Sequence, residues 1–244
     1  MDKKLNMDLS VVLPAYLEEE NLRILLPRLK LVLSGLAIQS EILIIDTETP
    51  MDCTGDVCRD HKVRYLNRVG DNSFGSAVRT GIAGARGQHV LFMDADGSHA
   101  PEFIPKLYQH VAHADVIIAS RYVEGGYTEN SKLLVLMSLV LNITYSLALG
   151  LRCKDVSNSF KIYRASQLQE LELSCDNFDI VEEILYKLRV LNPGFKIVEV
   201  PFGFKKRMFG ETKRNLVAFI FTYLITILKL RFMPVRRRPL PPTN

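Results

Sequence analysis

Two aspartates, Asp94 and Asp96, directly follow an apolar run in the stretch HVLFMDADGSHAPEF (89–103). Residues two apart in an extended chain point to the same side, so a turn at Gly97 can bring both carboxylates onto one small ion. Carboxylates without His or Cys partners suit a hard cation such as Mg²⁺ or Mn²⁺, which in proteins often also binds substrate phosphates. The alternative is that the pair only caps a helix predicted over 101–112, and the motif alone does not decide between the two.

The elements that must position these carboxylates follow from four short apolar runs, each closed by a polar or turn residue. Because the runs are continuously apolar rather than alternating, we expect strands covered on both faces, in a mainly parallel α/β sheet with helices on both faces. The strands are predicted over 9–14, 41–46, 89–94 and 115–120, and the helices between them over 18–33, 54–61, 74–86 and 101–112.

Each predicted strand ends in, or is followed at once by, residues that could contact a ligand, most of them polar. In a parallel α/β sheet the ligand binds beyond the carboxyl ends of the strands, so these side chains are expected at one shared edge. This convergence favours a ligand site over a simple helix cap. The side chains are, in strand order, Pro14 and Glu18, then Asp46, then Asp94, then Ser120 and Arg121.

A second group of charges that could bind phosphate lies in KKRMFGETKRN (205–215). Arg207 and Lys213 flank Gly210, and Thr212 can cap the helix that follows. Two cations and a helix N-terminus could together hold a phosphate. A solvated basic loop is the alternative for this segment taken alone.

The composition is that of an ordinary globular protein, with 244 residues, 48% of them hydrophobic and 24% charged, and we expect a single domain. Four irregularly spaced cysteines and an N-terminus without an apolar segment predict reduced thiols in a cytoplasmic protein, and the CTGDVC pair (53–58) lacks a second pair to complete a zinc site.

The net charge of the chain is +4, but residues 196–244 hold eleven Lys or Arg against two acids, which indicates an anionic partner. A membrane surface is favoured over nucleic acid, because no aromatic residue interleaves the arginines of RRRPLPPTN (236–244).

Two apolar segments bear on membrane association. Residues 133–151 form a run of nineteen residues without a charged side chain, which is long enough for a membrane-spanning helix. Ser138, Asn142 and Ser146 would, however, line one polar face of that helix. Residues 215–228 are too short to span and precede the basic KLRFMPVRRRP, so we predict an interfacial helix that meets anionic headgroups, with no segment crossing the bilayer. A buried core helix is the alternative for both segments.

Seven stretches follow one another in the order of known sequence motifs. They are VVLPAYLEEENL, IIDTETPMDCTGDV, FGSAVRTGIAGARG, MDADGSHAPE, ASRYVEGG, DVSNSFKIYR and EVPFGFKKRMFGETK. In these motifs the chain resembles the family 2 glycosyltransferases with the GT-A (Rossmann-like) fold. It is most similar to their dolichol-phosphate mannose synthase and polyprenyl-phosphate glycosyltransferase branch.

The resemblance implies a role for each matching residue. Catalysis would rest on Asp96 and Arg121, with Asp155, Glu182 and Glu183 as candidate bases should the acceptor be a hydroxyl. For Glu182 and Glu183 the alternative is a solvated face of a helix. Nucleotide-sugar binding is implied for Pro14, Tyr16, Glu18, Asp46, Asp94, Arg121 and Arg207, metal binding (Mg²⁺ or Mn²⁺) for Asp94, Asp96 and Ser98, and acceptor-phosphate binding for Lys132, Arg207 and Lys213.

The chain departs from the family pattern at four positions. Leu17 stands where the family has Asn, Thr47 replaces the second aspartate, Met51 is an apparent insertion, and Ser159 replaces a glycine. The first three lie in the nucleoside pocket of the family, so the base and the sugar of the donor stay open.

The resemblance implies a metal-dependent, inverting transfer of a sugar from a GDP- or UDP-sugar to a polyprenyl (dolichyl-type) phosphate. The protein would associate peripherally with the cytoplasmic face of a membrane. It would comprise a GT-A domain (1–214), an amphipathic or apolar C-terminal helix (215–233) and a basic, Pro-rich tail (234–244). Two alternatives stay open, a glycosyltransferase with a soluble hydroxyl acceptor and a sugar-nucleotide-binding module without turnover.

Overall fold

Strands and helices alternate along the chain, as the sequence predicts. A computed structural model describes residues 7–205, 225–233 and 235–237. The strands are β1 Leu9–Pro14, β2 Ser40–Asp46, β3 Arg64–Asn67, β4 His89–Phe92, β5 Val116–Ser120, β6 Tyr127–Thr128, β7 Lys161–Arg164, β8 Ile197–Pro201 and β9 Gly203–Phe204. The helices are α1 Glu19–Ser34, α2 Thr54–Asp60, α3 Phe74–Gly84, a 3-10 turn Pro101–Phe103 followed by α4 Ile104–Tyr108, α5 Lys132–Ala148, α6 Ala165–Gln169 and α7 Ile180–Leu191.

A seven-stranded sheet in the order β3-β2-β1-β4-β7-β5-β8 forms the centre of the fold. Strands β3, β2, β1 and β4 are parallel to one another, as are β5 and β8, which confirms the predicted mainly parallel sheet. The exception is β7, which lies between β4 and β5 and is antiparallel to both. An antiparallel strand starts at the edge where its parallel neighbours end. The residues that lead into β7 therefore arrive at the carboxyl edge, between β4 and β5.

Helices cover both faces of the sheet because the strands are apolar on both sides. In β1, Val12 packs into one buried cluster, while Val11 and Leu13 pack into the other. The first cluster takes apolar side chains from α3, α5, α6 and α7, and the second takes them from α1, α2 and α4. Each strand side chain thus meets a helix layer whichever way it points, which explains the continuous apolar runs.

The apolar segment 133–151 forms most of α5 and is only half-buried. Asn142 and Tyr145 face the interior of the protein. The opposite side of α5 is an apolar stripe whose members recur every three or four residues and are all exposed: Leu133, Leu136, Val140, Ile143 and Leu147. Helix α5 is therefore not a fully buried core helix. Within the residues that the structure describes, no helix is both long and apolar enough to cross a membrane.

The described part of the C-terminal segment packs against the rest of the protein. Residues 225–232 are helical, and the side chains of Thr226 and Leu230 are buried. Leu230 joins the same buried cluster as Tyr145 of α5. The outer side of this helix is again apolar, with three exposed side chains, Ile225, Leu228 and Phe232.

The start of the predicted tail is also bound to the protein. Arg237 forms an ion pair with Glu170 at 3.2 Å and a β-bridge with Leu171. Residues 206–224 and 238–244 lie outside the described residues. The division into a domain, a C-terminal helix and a tail, with boundaries at 214 and 233, therefore stays a prediction.

Candidate active site

A short turn after β4 carries the two predicted metal ligands at the carboxyl edge of the sheet. Its backbone reverses at Gly97, whose φ of 81° suits glycine and strains other residues. The 3-10 turn that follows begins after Ala100 without a side-chain cap, so the helix-cap alternative for the aspartates is wrong. Asp94 and Asp96 stay partly open to solvent, whereas the other side chains of the turn, Ala95, Ser98 and His99, are buried.

The donor set of this turn fits a divalent cation that also binds substrate. Ser98 Oγ is buried and has no hydrogen-bond partner among the described residues, and a bound ion or its water would satisfy it. Among the described residues, this turn included, no group of three or more His, Cys, Asp or Glu side chains could hold an ion, so the turn offers two carboxylates and a hydroxyl only. Two carboxylates and a hydroxyl leave most coordination positions to water and phosphate oxygens, as is usual for Mg²⁺ at nucleotide sites.

His99 supports this turn from the interior. Its ring is fully buried, Nδ1 accepts a hydrogen bond from the Asp94 N–H at 2.9 Å, and Nε2 lies 3.1 Å from Asn158 Oδ1. Because Nδ1 is an acceptor, the ring proton lies on Nε2 and is donated to Asn158. Burial lowers the pKa of His99, which keeps the ring neutral. Both ring nitrogens are thus used within the protein.

The segment that leads into β7 joins the ends of β4 and β5. Ser159 donates from Oγ to Asp94 Oδ1 at 2.8 Å, and Asn158 donates from Nδ2 to the Ala119 carbonyl at 2.6 Å. Ser157 lies 3.0 Å from a guanidinium nitrogen of Arg121. The antiparallel insertion of β7 therefore sets one short segment against both the Asp94–Asp96 turn and the end of β5.

Arg121 lies just beyond β5 in a forked ion pair with Asp155. Its Nε and Nη2 donate to the two carboxylate oxygens at 2.8 and 2.7 Å, and its backbone N–H adds a third bond at 2.8 Å. The guanidinium also lies over the ring of Phe204, 5.5 Å from the centroid. Asp155 is fully buried, and its contacts orient Arg121. The predicted role of Asp155 as a base requires its carboxylate to contact the acceptor. Its complete burial gives this role no support, so the role stays a prediction.

Glu182 lies in the interior on α7. Burial raises its pKa, and burial lowers the pKa of the fully buried Lys161, whose Nζ donates to the Val156 carbonyl at 2.8 Å. The neighbouring Glu183 is also fully buried and pairs with Lys187 at 2.7 Å. Both side chains are buried, so the alternative of a solvated helix face is wrong for Glu182 and for Glu183.

The ends of β1 and β2 are tied together by a buried arginine, Arg68. Its guanidinium donates to the carbonyls of Ala15 and Asp46, to the latter at 3.1 Å. The carboxylate of Asp46 is buried and accepts bonds from the Thr47 N–H at 2.8 Å and from the Tyr65 hydroxyl at 2.9 Å. Burial, with the bond to Asp46, raises the pKa of Tyr65 to about 12, so its hydroxyl remains a donor at neutral pH.

The structure shows the environment of two residues that depart from the family pattern, Leu17 and Thr47. Leu17 is exposed and has a φ of 56°, in the left-handed region that Asn tolerates better than Leu. The backbone thereby explains why an Asn suits this position. Thr47 is fully buried and donates from Oγ1 to the Thr49 carbonyl at 2.7 Å, so this position points a hydroxyl inwards in place of a carboxylate.

The structure brings many of the predicted site residues together. Asp94, Asp96, Ser98, Arg121 and Asp155 meet around residues 155–160. The neighbouring ends of β1 and β2 carry the predicted nucleotide-sugar residues Pro14, Tyr16, Glu18 and Asp46. Lys132 is exposed at the first residue of α5, and Glu182 lies in the interior. Arg207 and Lys213 lie outside the described residues.

Sequence reasoning missed the residues that hold the site in place, Arg68, His99, Asn158 and Ser159. His99 lies three residues after Asp96, and a His so close to two carboxylates is a usable signal. Ser159 was visible as a departure from glycine, but its contact with Asp94 joins residues 65 apart and needs the fold. Arg68 stands in no motif considered above.

Comparison with known proteins bears on the identity of this site. The sequence model described as "Glycosyl transferase family 2" matches residues 10–172, which include β2 to β7 and all of β1 except its first residue. The chain belongs to glycosyltransferase family 2. The resemblance inferred from the seven motifs is thus confirmed at the level of the family.

Two relatives of this family 2 glycosyltransferase carry informative names. The chain is 34% identical over 232 residues to a dolichol-phosphate mannosyltransferase of Pyrococcus furiosus, and 33% identical over 226 residues to an undecaprenyl-phosphate mannosyltransferase of Micrococcus luteus. These matches cover 92% and 86% of the chain, and 64% and 88% of the respective relatives. The chain therefore spans less than two thirds of the length of the Pyrococcus protein.

A solved structure supports the GT-A fold. Glucosyl-3-phosphoglycerate synthase from Mycobacterium tuberculosis, in complex with Mn²⁺, uridine diphosphate and glucosyl-3-phosphoglycerate, superposes with a TM-score of 0.71. The match covers 95% of this chain and 82% of that one, at 17% identity. At this level of identity the likeness concerns the fold alone.

Proposed function

We propose that this family 2 glycosyltransferase transfers a sugar, with inversion, from a GDP- or UDP-linked donor to a polyprenyl phosphate at a membrane surface. The observation that carries the proposal is the meeting of the Asp94–Asp96 turn with the Arg121–Asp155 fork at one sheet edge. The sugar is mannose in the names of both relatives, each of which also names a polyprenyl-type phosphate.

In the proposed reaction, the residues at the carboxyl edge of the sheet stabilise the diphosphate as it leaves the sugar. A divalent cation on Asp94 and Asp96, with Ser98 as a further ligand, would neutralise charge on the diphosphate oxygens. Arg121 is preorganised by its fork to Asp155, so its positive charge needs little reorganisation during the reaction. Arg207, Lys132 and Lys213 are proposed to bind donor and acceptor phosphates.

No general base is required if the acceptor is a phosphate. A phosphate monoester, with a second pKa near 6, is anionic at neutral pH and can attack without losing a proton to the protein. The burial of Asp155 and Glu182 supports this choice, because neither carboxylate is placed at the surface to receive a proton from an acceptor hydroxyl.

A transfer assay tests the proposal. The protein is incubated with Mn²⁺, radiolabelled GDP- or UDP-sugars and liposomes that contain a polyprenyl phosphate, and we expect label in the lipid phase with one of the donors. Transfer only to a soluble hydroxyl acceptor would contradict the lipid acceptor. Donor binding by calorimetry without transfer to any acceptor would contradict the enzyme and favour the binding module.

Two apolar stripes support action at a membrane surface. One is the exposed side of α5, defined by Leu133, Leu136, Val140, Ile143 and Leu147, and the other is the outer side of residues 225–232. Both helices send buried side chains, Tyr145 and Leu230, into the same core cluster, so both lie on the same face of the sheet. Apolar helix faces of this kind bind at the headgroup boundary, helped by nearby basic residues. Of the predicted interfacial segment 215–228, residues 215–224 lie outside the described residues.

We expect the double substitution Leu136→Ser and Val140→Ser to weaken binding to anionic liposomes by at least about tenfold. A fully buried apolar side chain contributes roughly 1.5–3 kcal/mol, and about 1.4 kcal/mol changes a binding constant tenfold. Liposome sedimentation measures the change, and binding by the unsubstituted protein should also weaken as salt rises.

The matched control uses the opposite helix layer. Leu31 is an exposed leucine on α1, which packs on the other face of the sheet, so Leu31→Ser should leave liposome binding unchanged. If the α5 double variant bound as well as the unsubstituted protein, the α5 stripe would not be a membrane contact.

A further inference from the structure

Asp94 is held at two points, one on its backbone and one on its carboxylate. Its N–H donates to His99 Nδ1 at 2.9 Å, and its Oδ1 accepts from Ser159 Oγ at 2.8 Å. We propose that His99 and Ser159 form a clamp that fixes Asp94 for cation binding, and that both are positioning residues of the metal site. The proposal rests on the function proposed above, in which Asp94 and Asp96 hold the ion.

The histidine arm of the clamp is rigid. The His99 ring is fully buried and lies against Phe160, with 4.7 Å between the centroids. Its Nε2 is fixed by Asn158, whose amide is itself anchored to the Ala119 carbonyl at the end of β5. The ring therefore holds the Asp94 amide in a fixed place relative to both strands that border the site.

Ser159, the second residue of the clamp, binds only one of the two carboxylate oxygens of Asp94. Ser159 occupies Asp94 Oδ1, whereas His99 Nε2 lies 3.7 Å from Oδ2, which is longer than a hydrogen bond. The clamp thus engages Oδ1 and leaves Oδ2 to face an ion. Because the family pattern has glycine where this chain has Ser159, the hydroxyl arm is a feature of this chain.

Hydrogen bonds to a ligating carboxylate orient it and commonly change metal affinity by 10- to 100-fold when they are removed. We therefore expect Ser159→Ala to weaken Mn²⁺ binding by about tenfold, and His99→Phe to weaken it by at least as much. His99→Asn should stay closer to the unsubstituted protein than His99→Phe does, because the Asn oxygen can take the place of Nδ1 and accept the Asp94 N–H.

The experiment is a titration of Mn²⁺ followed by electron paramagnetic resonance, with GDP and with UDP present and without any sugar donor. The readout is Mn²⁺ affinity, so it does not depend on turnover. Urea denaturation of each variant shows how much stability has been lost. In transfer assays, the Mn²⁺ concentration for half-maximal rate should rise more than the rate at saturating Mn²⁺ falls.

Ser10→Ala is the matched control. Ser10 is also a buried serine that donates to a carboxylate, Glu41 at 2.5 Å, but it lies at the start of β1, at the opposite edge of the sheet. It should lose stability without losing Mn²⁺ affinity. Equal weakening by Ser10→Ala, or unchanged affinity in both Ser159→Ala and His99→Phe, would overturn the clamp while leaving the proposed function intact. Absence of Mn²⁺ binding by the unsubstituted protein with either nucleotide would instead contradict the metal site of the proposed function, and the clamp with it.

Discussion

Replacement of Asp96 by Asn is expected to lower the rate of sugar transfer by about 10²- to 10³-fold, the loss typical of one preorganised electrostatic group. The folded state should be little affected, because Asp96 is partly exposed and an Asn oxygen can still accept the Ser98 N–H that Asp96 Oδ1 accepts at 3.0 Å. The substitution keeps the shape of the side chain and removes the charge that would attract the proposed cation. Initial rates over a range of Mn²⁺ concentrations measure the effect.

Asp8 provides the control for this prediction. Its carboxylate also accepts one backbone N–H, that of Gln39 at 2.9 Å, but it lies just before β1 at the opposite edge of the sheet. Asp8→Asn should therefore leave the rate unchanged. Full activity of the unsubstituted protein in EDTA would refute the cation requirement.

Replacement of Asp155 by Asn is expected to reduce the free energy of unfolding by about 3–5 kcal/mol, the cost of leaving one partner of a buried ion pair uncompensated. The substituted amide places an NH₂ group against the donors of Arg121 and ends the forked geometry. Since Arg121 then loses its fixed orientation, the transfer rate should also fall, by about 10²-fold. Urea denaturation measures the first effect and steady-state kinetics the second.

An exposed ion pair of the same geometry serves as the control. Arg28 forms a fork with Glu102 at 3.0 and 2.9 Å, but both side chains are exposed. Glu102→Gln should cost less than about 1 kcal/mol, because water screens the pair. If Asp155→Asn were no more destabilising than Glu102→Gln, or left the transfer rate unchanged, Asp155 would not hold Arg121 for catalysis.

The parallel strands that border the site and the residue types at their ends follow from local sequence. Continuous apolar runs predicted β1, β2, β4 and β5, because a strand covered on both faces must be apolar on both sides. The D-x-D motif at Asp94 and Asp96 placed two carboxylates after one of these strands. The ligand edge then follows from parallel topology alone, since all carboxyl ends of parallel strands lie together.

Charged residues with buried side chains were beyond the reach of pattern reasoning. Glu182, Glu183 and Lys161 are all buried, although their types predict solvent exposure. Partners outside the element that carries the charge help to make this burial possible: Glu183 of α7, for example, accepts the Cys175 N–H at 2.8 Å from the segment before the helix. A periodic pattern cannot show whether such partners will be present.

Only the tertiary structure decided how the site is held together. The antiparallel β7 pairs with both β4 and β5, with Lys161 opposite Phe92, and so delivers Asn158 and Ser159 to the Asp94–Asp96 turn. Nothing in the short, charged run KIYR (161–164) marks it as a central strand. Strand order and direction depend on which edges remain unpaired after the whole chain has packed. The sequence thus names the carboxylates that can hold a cation, whereas long-range pairing fixes where their oxygens point.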